Sequence, residues 1–569
     1  MPLPRLPFAF PPRGAVLIVF CALYLLPGLI GHDPWKGDDA THFGVVYSML
    51  DGGHWLLPHL AGEVWLDSPP LYHWTAAVLA KVFGLLLPLH DAARLASGLF
   101  IGIMIACLTG AARHLVGQEA GRGAALVAIG CLGLLVHAHE VQPATALLAA
   151  AAALYCGLAL MPQHPLRGGA LAGAALGLGF LATGLPALIA LGPLLMLLPL
   201  ISQETRRAAP SVSWPLGGGT ARSGVFGGGS LHLRTPTAAR GMLAALAVAA
   251  PLVLSWPLAL NWLEPAALGA WWSRELAELR TVSNLPLALW NFLKLLGWFA
   301  WPALPLALWT LWKERRRLRE PRILIPLTSF LILLAVQSAF SEPRSLNVLP
   351  LLPPLVLLAA PATLSLRRGA ANALDWFGMM TFTLLAGLIW LGWLAMIAGV
   401  PPQVAKNLAR LAPGFVAHFS IPAFAVSLGL TFAWLWLIFK SPRAPQRGAA
   451  HWAAGLVLCW SLLMALWLPL IDYDRSYRAV SAALTAALPA DHGCIAGRGL
   501  GSTQRAAFHY FAGIQTVREG SRAAARCRLF LTQGTLQKEA LPAGTGWRKT
   551  WEGHRPSDRN ERFRLYTRP

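Results

Sequence analysis

The sequence predicts an all-α membrane domain with about thirteen transmembrane helices, followed by a small soluble α/β domain. Of the 569 residues, 56% are hydrophobic and only 12% are charged, whereas a soluble globular protein carries about 25% charged residues. Apolar stretches of about eighteen residues or more recur along the chain, and each is long enough to cross about 30 Å of hydrocarbon. The more polar segment after residue 470 predicts the separate α/β domain.

The predicted spans are joined mostly by short connections. The first follows Arg5 and Arg13 without a small-residue cleavage site, so we expect a retained anchor and no cleaved signal. The fifth and sixth are short and meet at Thr183-Gly184, so they could form one broken hairpin. The expected spans are 14–31, 92–112, 121–138, 143–161, 168–182, 184–201, 241–263, 286–312, 323–340, 347–365, 374–399, 416–439 and 449–470.

The net charge of +21 indicates an orientation and not nucleic-acid binding, because cytoplasmic loops of membrane proteins are rich in Lys and Arg. With the N-terminus inside, the basic segments 113–122, 202–240 and 313–322 become cytoplasmic. The glycine runs in 202–240 lack the spacing and Lys of a phosphate-binding loop, so we expect a flexible linker there. Residues 1–470 then form a transmembrane domain with a long outside loop, 32–91.

Residues 471–569 follow as an α/β domain on the same outer side, which is the periplasm for a bacterial inner membrane. Tyr477–Leu488 has helical spacing, and short strands are expected at 494–496, 528–531 and 563–566. Cys494 and Cys527 lie in this domain and could form a disulfide bond if it is outside the cytoplasm.

The first outside loop carries the residues most indicative of chemistry. Asp38 and Asp39 come just after the first span, and acids at a membrane boundary often bind a metal, act as a base or orient a polar substrate. A solvated turn would explain the same two acids. Apolar residues of 40–50 recur at helical spacing, which predicts an amphipathic helix lying in the membrane interface.

The first outside loop and four later segments, in order, resemble one family. Asp38-Asp39-Ala40 with Phe43-Gly44, the stretch 52–62 and Ser68-Pro69-Pro70-Leu71-Tyr72 resemble the first periplasmic loop of the GT-C fold lipid-linked glycosyltransferases. The nearest branch holds the aminoarabinose lipid A transferase and the protein O-mannosyltransferase-like enzymes. The other similar segments are 93–95, 180–184, 271–279 and 349–355.

The resemblance implies a transferase that takes a sugar from a polyprenyl phosphate and attaches it, at the outer face of the membrane, to an envelope acceptor such as lipid A phosphate. Asp38 and Asp39 would be catalytic, with Asp38 holding a metal or orienting the acceptor, or acting as its base. A divalent metal ion, if bound, would be held by Asp38 and Glu140. Arg is suited to a phosphate leaving group because its guanidinium binds two oxygens at once; the outside arginines are Arg274, Arg280 and Arg344. The expected substrate-binding residues are His42, Asp67, Ser68, Tyr72, Arg274, Glu275 and Arg344.

The chain departs from the family pattern at three places. Ser68 and Thr183 stand where the family has Lys, and 139–143 lacks the usual Asp. A catalytically reduced member that binds lipid-linked sugar is therefore an alternative, and a lipid-linked sugar flippase is another. The outside histidines could form a zinc site, although interfacial packing is the preferred interpretation because they have no fixed spacing; they are His32, His42, His54, His59, His73, His137 and His139.

Overall fold

A computed structural model describes residues 15–197, 236–279, 284–442, 444–539, 546–558 and 560–568. Residues 202–235 of the predicted linker 202–240 lie outside these residues. The helices before the predicted linker are α1 (Ala15–Leu25), α2 (Asp38–Gly52), α3 (Leu71–Phe83), α4 (Leu89–Leu115), α5 (Gln118–Gly130), α6 (Leu134–His137), α7 (Ala144–Leu160), α8 (Pro165–Thr183) and α9 (Leu185–Leu191).

The second half of the membrane domain is also helical. Its helices are α10 (Pro236–Leu263), α11 (Pro265–Glu278), α12 (Leu285–Phe299), α13 (Ala303–Lys313), α14 (Pro321–Phe340), α15 (Ser345–Val348), α16 (Leu352–Ala359), α17 (Ala362–Ser365), α18 (Arg368–Ala398), α19 (Pro402–Leu411), α20 (Ile421–Lys440), α21 (Arg447–Leu462) and α22 (Leu468–Arg475).

The chain is a multi-pass membrane protein. Within the described ranges, 8 helical segments are long and apolar enough to cross a membrane, or up to 9 if the bent pair α12 and α13 is one span. Each predicted span overlaps a helix, and the total of about thirteen stays a prediction because several of these helices, such as α1 and α9, are short.

Some predicted spans are interrupted or bent. The segment 121–138 breaks after Gly130, so α5 ends there and the short α6 follows. The segment 286–312 bends by 103° between α12 and α13, at a point where Pro302 cannot donate a backbone hydrogen bond. Hydrophobicity alone does not register such breaks, because the residues on both sides stay apolar.

Small residues bring the central helices together. Helices α4, α7, α8 and α10 pack side by side in that order. Gly169 and Gly173 of α8 face the backbone of α10, where an added Cβ would lie 2.1 and 2.2 Å from the carbonyl oxygens of Gly241 and Ala245. In a membrane, such close backbone approach supplies the packing that the hydrophobic effect cannot provide between apolar helices.

The C-terminal segment, which we call the tail domain (residues 476–568), forms the expected small α/β unit. Its five-stranded sheet has the order β4-β3-β5-β7-β6, with β3 parallel to β4 and β5 and the remaining pairs antiparallel. Cys494 and Cys527 are joined by a disulfide bond. The strands and helices are α23 (Arg478–Ala487), β3 (Ile495–Arg498), α24 (Ser502–Ala512), β4 (Thr516–Arg518), β5 (Leu529–Thr535), β6 (Arg548–Gly553) and β7 (Glu561–Thr567), and the outside loop adds a hairpin of β1 (His59–Leu60) and β2 (Glu63–Val64).

The tail domain packs directly on the first outside loop. The Thr503 hydroxyl of α24 lies 2.9 Å from the Thr41 hydroxyl and donates to the Gly37 carbonyl at 3.1 Å. Gly44 allows this contact, since a Cβ there would lie 2.4 Å from that of Ala506. The apolar side of 40–50 therefore packs on protein, because α2 is covered by α3, α4 and α24, and its position at the membrane interface stays a prediction.

Candidate functional site

Asp39 is buried, and both of its oxygens are saturated. One oxygen accepts the Val141 N–H at 2.7 Å and the other accepts the Trp35 N–H at 2.8 Å, while the Arg94 guanidinium lies against both at 3.3 and 3.4 Å. Burial alone would raise the pKa of this carboxyl, but Arg94 and the two backbone donors hold it below its usual range. This geometry fits a structural role and not the expected catalytic one, because no lone pair is left for a substrate.

Arg94 organises the same region from within the membrane domain. It is 0% exposed and donates to the Asp91 carboxylate at 2.9 Å and to the backbone carbonyls of Leu29, His32 and Asp33. The sequence places Arg94 only as part of a family-like segment. The sequence signal that could have predicted its role is an arginine at the outer end of an apolar span with Asp91 one turn before it, a pattern typical of a buried ion pair.

Asp38, by contrast, is exposed at the first turn of α2. Within the described part of the chain, its carboxylate accepts one long hydrogen bond, 3.4 Å, from the Gln142 side-chain amide. One turn further along α2, His42 lies on the same face, and its Nδ1 is 3.2 Å from Nε2 of His73. Burial lowers the pKa of His42 to about 4 and that of His73 well below its usual value, so both rings are neutral at pH 7.

Three buried polar atoms of the outside loop have no hydrogen-bond partner within the described residues. They are Nδ1 of His73, Oγ of Ser68 and Nε1 of Trp65. The Trp65 ring stands edge-on to His42, with centroids 6.3 Å apart. Unsatisfied buried polar atoms are rare in folded proteins, so this group is chemically equipped to receive the hydroxyls or oxygens of a ligand.

Asp67 and Arg274 form an ion pair between the outside loop and α11. Nη1 of Arg274 lies 2.5 Å from the Asp67 carboxylate, and both side chains stay partly exposed, at 47% and 32%. Burial raises the pKa of Asp67, and Arg274 offsets part of that rise. The pair therefore brings a cation next to Ser68, where the family pattern has Lys.

Two expected substrate-binding residues have structural contacts instead. The Glu275 carboxylate accepts the N–H of Leu185 at 2.9 Å and stabilises the break between α8 and α9 as a helix N-terminal anion. The Tyr72 hydroxyl is buried and 2.7 Å from the Ser97 hydroxyl. Thr183 turns back to the Gly179 carbonyl at 3.4 Å.

Arg344 lies at the rim of a cavity of about 420 Å³ between α7, α9 and α14. The wall is apolar, with Leu147, Ile189 and Leu333 among its residues, and the rim is polar. Arg344 is 74% exposed and pairs with Glu342 at 2.5 Å. The cavity thus combines an apolar interior with a cation at its rim. The other expected outside arginine, Arg280, lies outside the described residues.

The expected metal ligands do not fit a metal site. The Glu140 carboxylate is 3.3 Å from Nδ1 of His137, whereas Asp38 contacts Gln142. In the described part of the chain, no three His, Cys, Asp or Glu side chains are grouped as a metal ion would require. The outside histidines instead form separate contacts, such as His54 with His59 at 4.0 Å between ring centroids.

Comparison with known proteins agrees with this architecture. Residues 67–222 match the family model described as dolichyl-phosphate-mannose-protein mannosyltransferase. The crystal structure of ArnT from Cupriavidus metallidurans bound to undecaprenyl phosphate superposes with a TM-score of 0.64 and 17% identity, covering 96% of this chain and 97% of that one. The chain has the GT-C fold of ArnT. The apo structure of the same ArnT gives a TM-score of 0.62.

Sequence similarity to ArnT enzymes is confined to part of the chain. The undecaprenyl phosphate-alpha-4-amino-4-deoxy-L-arabinose arabinosyl transferase 1 of Pseudomonas fluorescens is 27% identical over 201 residues, 34% of each chain. That of Sodalis glossinidius is 31% identical over 194 residues, 33% of each. The aligned region therefore spans about a third of these curated relatives, whereas the ArnT fold extends over nearly the whole chain.

Proposed function

We propose that this protein is a membrane glycosyltransferase that moves a sugar from a polyprenyl-phosphate donor to an envelope acceptor such as lipid A. The observation that carries the proposal is Asp38, an exposed carboxylate one helical turn from the His42–His73 pair, in a chain with the fold of ArnT. The crystallised ArnT binds undecaprenyl phosphate, and an apolar cavity with Arg344 at its mouth suits the lipid and phosphate of such a donor.

The proposed location is the bacterial inner membrane, with the tail domain in the periplasm. The basic loops favour this orientation, and the Cys494–Cys527 disulfide bond is typical of an oxidising compartment. Both the outside loop and the tail domain then meet the donor and the acceptor on the outer face.

In the proposed reaction, an acceptor oxygen attacks the anomeric carbon of the sugar. The new carbon–oxygen bond forms as the bond to the polyprenyl phosphate breaks, and the phosphate leaves with the electron pair. Asp38 orients the acceptor and takes its proton when the attacking oxygen carries one. Arg274 stabilises the negative charge that develops on the leaving phosphate, which gives this chain a cation where Lys is absent at position 68. A divalent metal ion remains a prediction from the family resemblance.

A catalytically reduced protein that only binds lipid-linked sugar is the second candidate. It is favoured by Ser68 and Thr183, since each missing charge-assisted contact to phosphate is worth about 1.5–3 kcal/mol. Turnover separates the two functions, because only the transferase releases polyprenyl phosphate.

The test uses the full chain in lipid nanodiscs with a bacterial extract of lipid-linked sugars. Mass spectrometry would follow free polyprenyl phosphate for the wild type, Asp38→Asn and Asp51→Asn. Asp51 is an exposed carboxylate at the other end of α2, so it controls for a loss of charge. We expect release by the wild type and Asp51→Asn only. Equal release by Asp38→Asn would remove Asp38 from the chemistry, and no release from any donor would favour the reduced protein.

A further inference from the structure

A second cavity, of about 430 Å³, lies in the tail domain and is separate from the cavity beside Arg344. We call it the tail cavity. Its wall is formed by the loop between β3 and α24 and by the ends of β3 and β4. Three of its residues are arginines, namely Arg498, Arg505 and Arg518.

The tail cavity lies where an open α/β sheet usually binds ligands. From β3 the chain passes through α24 to β4 on one side, and then returns to β5 on the other side of β3. The tail cavity lies outside the carboxyl ends of the parallel strands β3 and β4, which is the side of an open α/β sheet on which ligands bind. Arg498 and Arg518 are the last residues of β3 and β4, so both stand at this cavity.

The β3–α24 loop is also built for close approach to an anion. It runs Gly497-Arg498-Gly499-Leu500-Gly501 and leads into the first turn of α24. Gly499 has φ +73°, a conformation that favours glycine. The N–H of Gly501, which precedes α24, donates to the Gln533 side chain at 3.1 Å. Gly501 offers no side-chain cap to the first turn of α24, where the positive end of the helix dipole favours an anion.

Arg505 supplies the independent sign of a ligand. The residue is 6% exposed, lines the tail cavity, and its Nε is buried without a hydrogen-bond partner in the described chain. Its Nη1 and the Nε of Arg518 both contact the Glu63 carboxylate at 2.7 Å. Glu63 comes from the outside loop, so one carboxylate of the membrane domain forms ion pairs with two arginines of the tail domain.

The tail cavity is physically coupled to the candidate active site. Ser502 in its wall precedes Thr503, whose hydroxyl donates to the carbonyl of Gly37. Gly37 is the residue before Asp38. A group bound at the start of α24 is therefore held next to the first turn of α2, where the acceptor must meet Asp38.

We propose that the tail cavity binds a phosphate group of the acceptor, with Arg498 and Arg518 as its ligands. The phosphate would displace the carboxylates that these arginines now hold, Glu519 from Arg498 and Glu63 from Arg518. This inference rests on the proposed function for the identity of the acceptor. A phosphate fits better than a carboxylate because three guanidinium groups and a helix N-terminus converge on one crevice, and arginine binds phosphate through two bonds at once.

The test measures binding to the full chain in nanodiscs by isothermal titration calorimetry. The probes are the deacylated, diphosphorylated glucosamine disaccharide of lipid A, the same disaccharide without phosphates, and inorganic phosphate. The variants are Arg498→Gln combined with Arg518→Gln, Glu63→Gln, and Arg522→Gln as a control. Arg522 is an exposed arginine of the tail domain that does not line the cavity.

We expect the phosphorylated disaccharide to bind the wild type and Arg522→Gln equally. The double variant should weaken binding by about tenfold or more, from the loss of charge-assisted bonds, and Glu63→Gln should tighten it by removing the competing carboxylate. Equal binding of the unphosphorylated disaccharide, or no effect of the double variant, would overturn the proposal. Inorganic phosphate binding as tightly as the disaccharide would overturn the assignment to the acceptor.

Turnover keeps this inference separate from the proposed function. In an active enzyme, the double variant should raise KM for the acceptor and leave kcat nearly unchanged, because Arg498 and Arg518 do not touch the reacting atoms. Phosphate-dependent binding in a protein that transfers no sugar would support the tail cavity and refute the transferase. Sugar transfer with an unchanged KM in the double variant would support the transferase and refute the tail cavity as an acceptor site.

Discussion

Substituting the two adjacent aspartates separately should give opposite results. Asp39→Asn keeps the shape of the side chain but replaces one acceptor oxygen by an NH₂ group. In either orientation, that NH₂ faces a backbone N–H and the Arg94 guanidinium. Two hydrogen bonds are lost, and Arg94 keeps only Asp91 as a charged partner.

The expected cost of Asp39→Asn is about 3–5 kcal/mol, because two buried donors lose their acceptor at about 1–3 kcal/mol each and Arg94 retains one carboxylate instead of two. Asp38→Asn should change stability by less than about 0.5 kcal/mol, because Asp38 is exposed and weakly bonded, yet it should abolish the release of polyprenyl phosphate.

The assay is thermal unfolding in detergent micelles, followed by tryptophan fluorescence, together with turnover in nanodiscs. Asp51→Asn on the same helix serves as the matched control. An unchanged Tm for Asp39→Asn, with turnover lost, would refute the structural role of Asp39. A large drop in Tm for Asp38→Asn would refute its assignment to the chemistry.

Three further predictions concern the same regions. Arg274→Gln should lower kcat/KM for the donor by about ten- to a hundredfold through loss of a phosphate contact, with little change in Tm because its ion pair is partly exposed; normal kinetics would contradict that role. Burial lowers the pKa of His42 to about 4 and that of His73 well below its usual value, so the unfolded chain takes up more protons than the folded chain below about pH 6.5. Stability should therefore be constant above that pH and fall towards pH 4, by roughly 3 kcal/mol for His42 alone. His42→Gln should flatten this fall in a Tm-against-pH series, and an unchanged slope would contradict the shift. Replacing both Cys494 and Cys527 by Ser should destabilise the tail domain by about 3 kcal/mol, given their separation of 33 residues; reductant should lower the wild-type Tm and leave that of the variant unchanged.

Much of the fold could be predicted from local sequence. The apolar stretches located the helices of the membrane domain, because each must satisfy its own backbone hydrogen bonds in lipid. Alternating residues located β3, β5 and β7 of the tail domain. The exposed position of Asp38 was also consistent with the resemblance to the GT-C glycosyltransferases.

The adjacent aspartates show what local sequence could not predict. Asp38 and Asp39 are neighbours of the same type, and no pattern of spacing separates them. Their roles differ because Arg94 and the backbone of Val141, both distant along the chain, converge on Asp39 alone. Glu275 was likewise placed with the substrate, although it accepts the N–H of Leu185 from another helix.

Hydrophobicity and local periodicity thus determined that the chain crosses a membrane many times and ends in a small α/β domain, because the bilayer and the sheet impose their requirements residue by residue. Only the tertiary structure decided which polar groups are satisfied and which remain available for a ligand. The tail cavity shows the reason. Its Arg505 and Arg518 both contact Glu63, although Glu63 precedes them by more than 400 residues in the sequence. The chemistry of a charged group depends on the partners that folding brings to it.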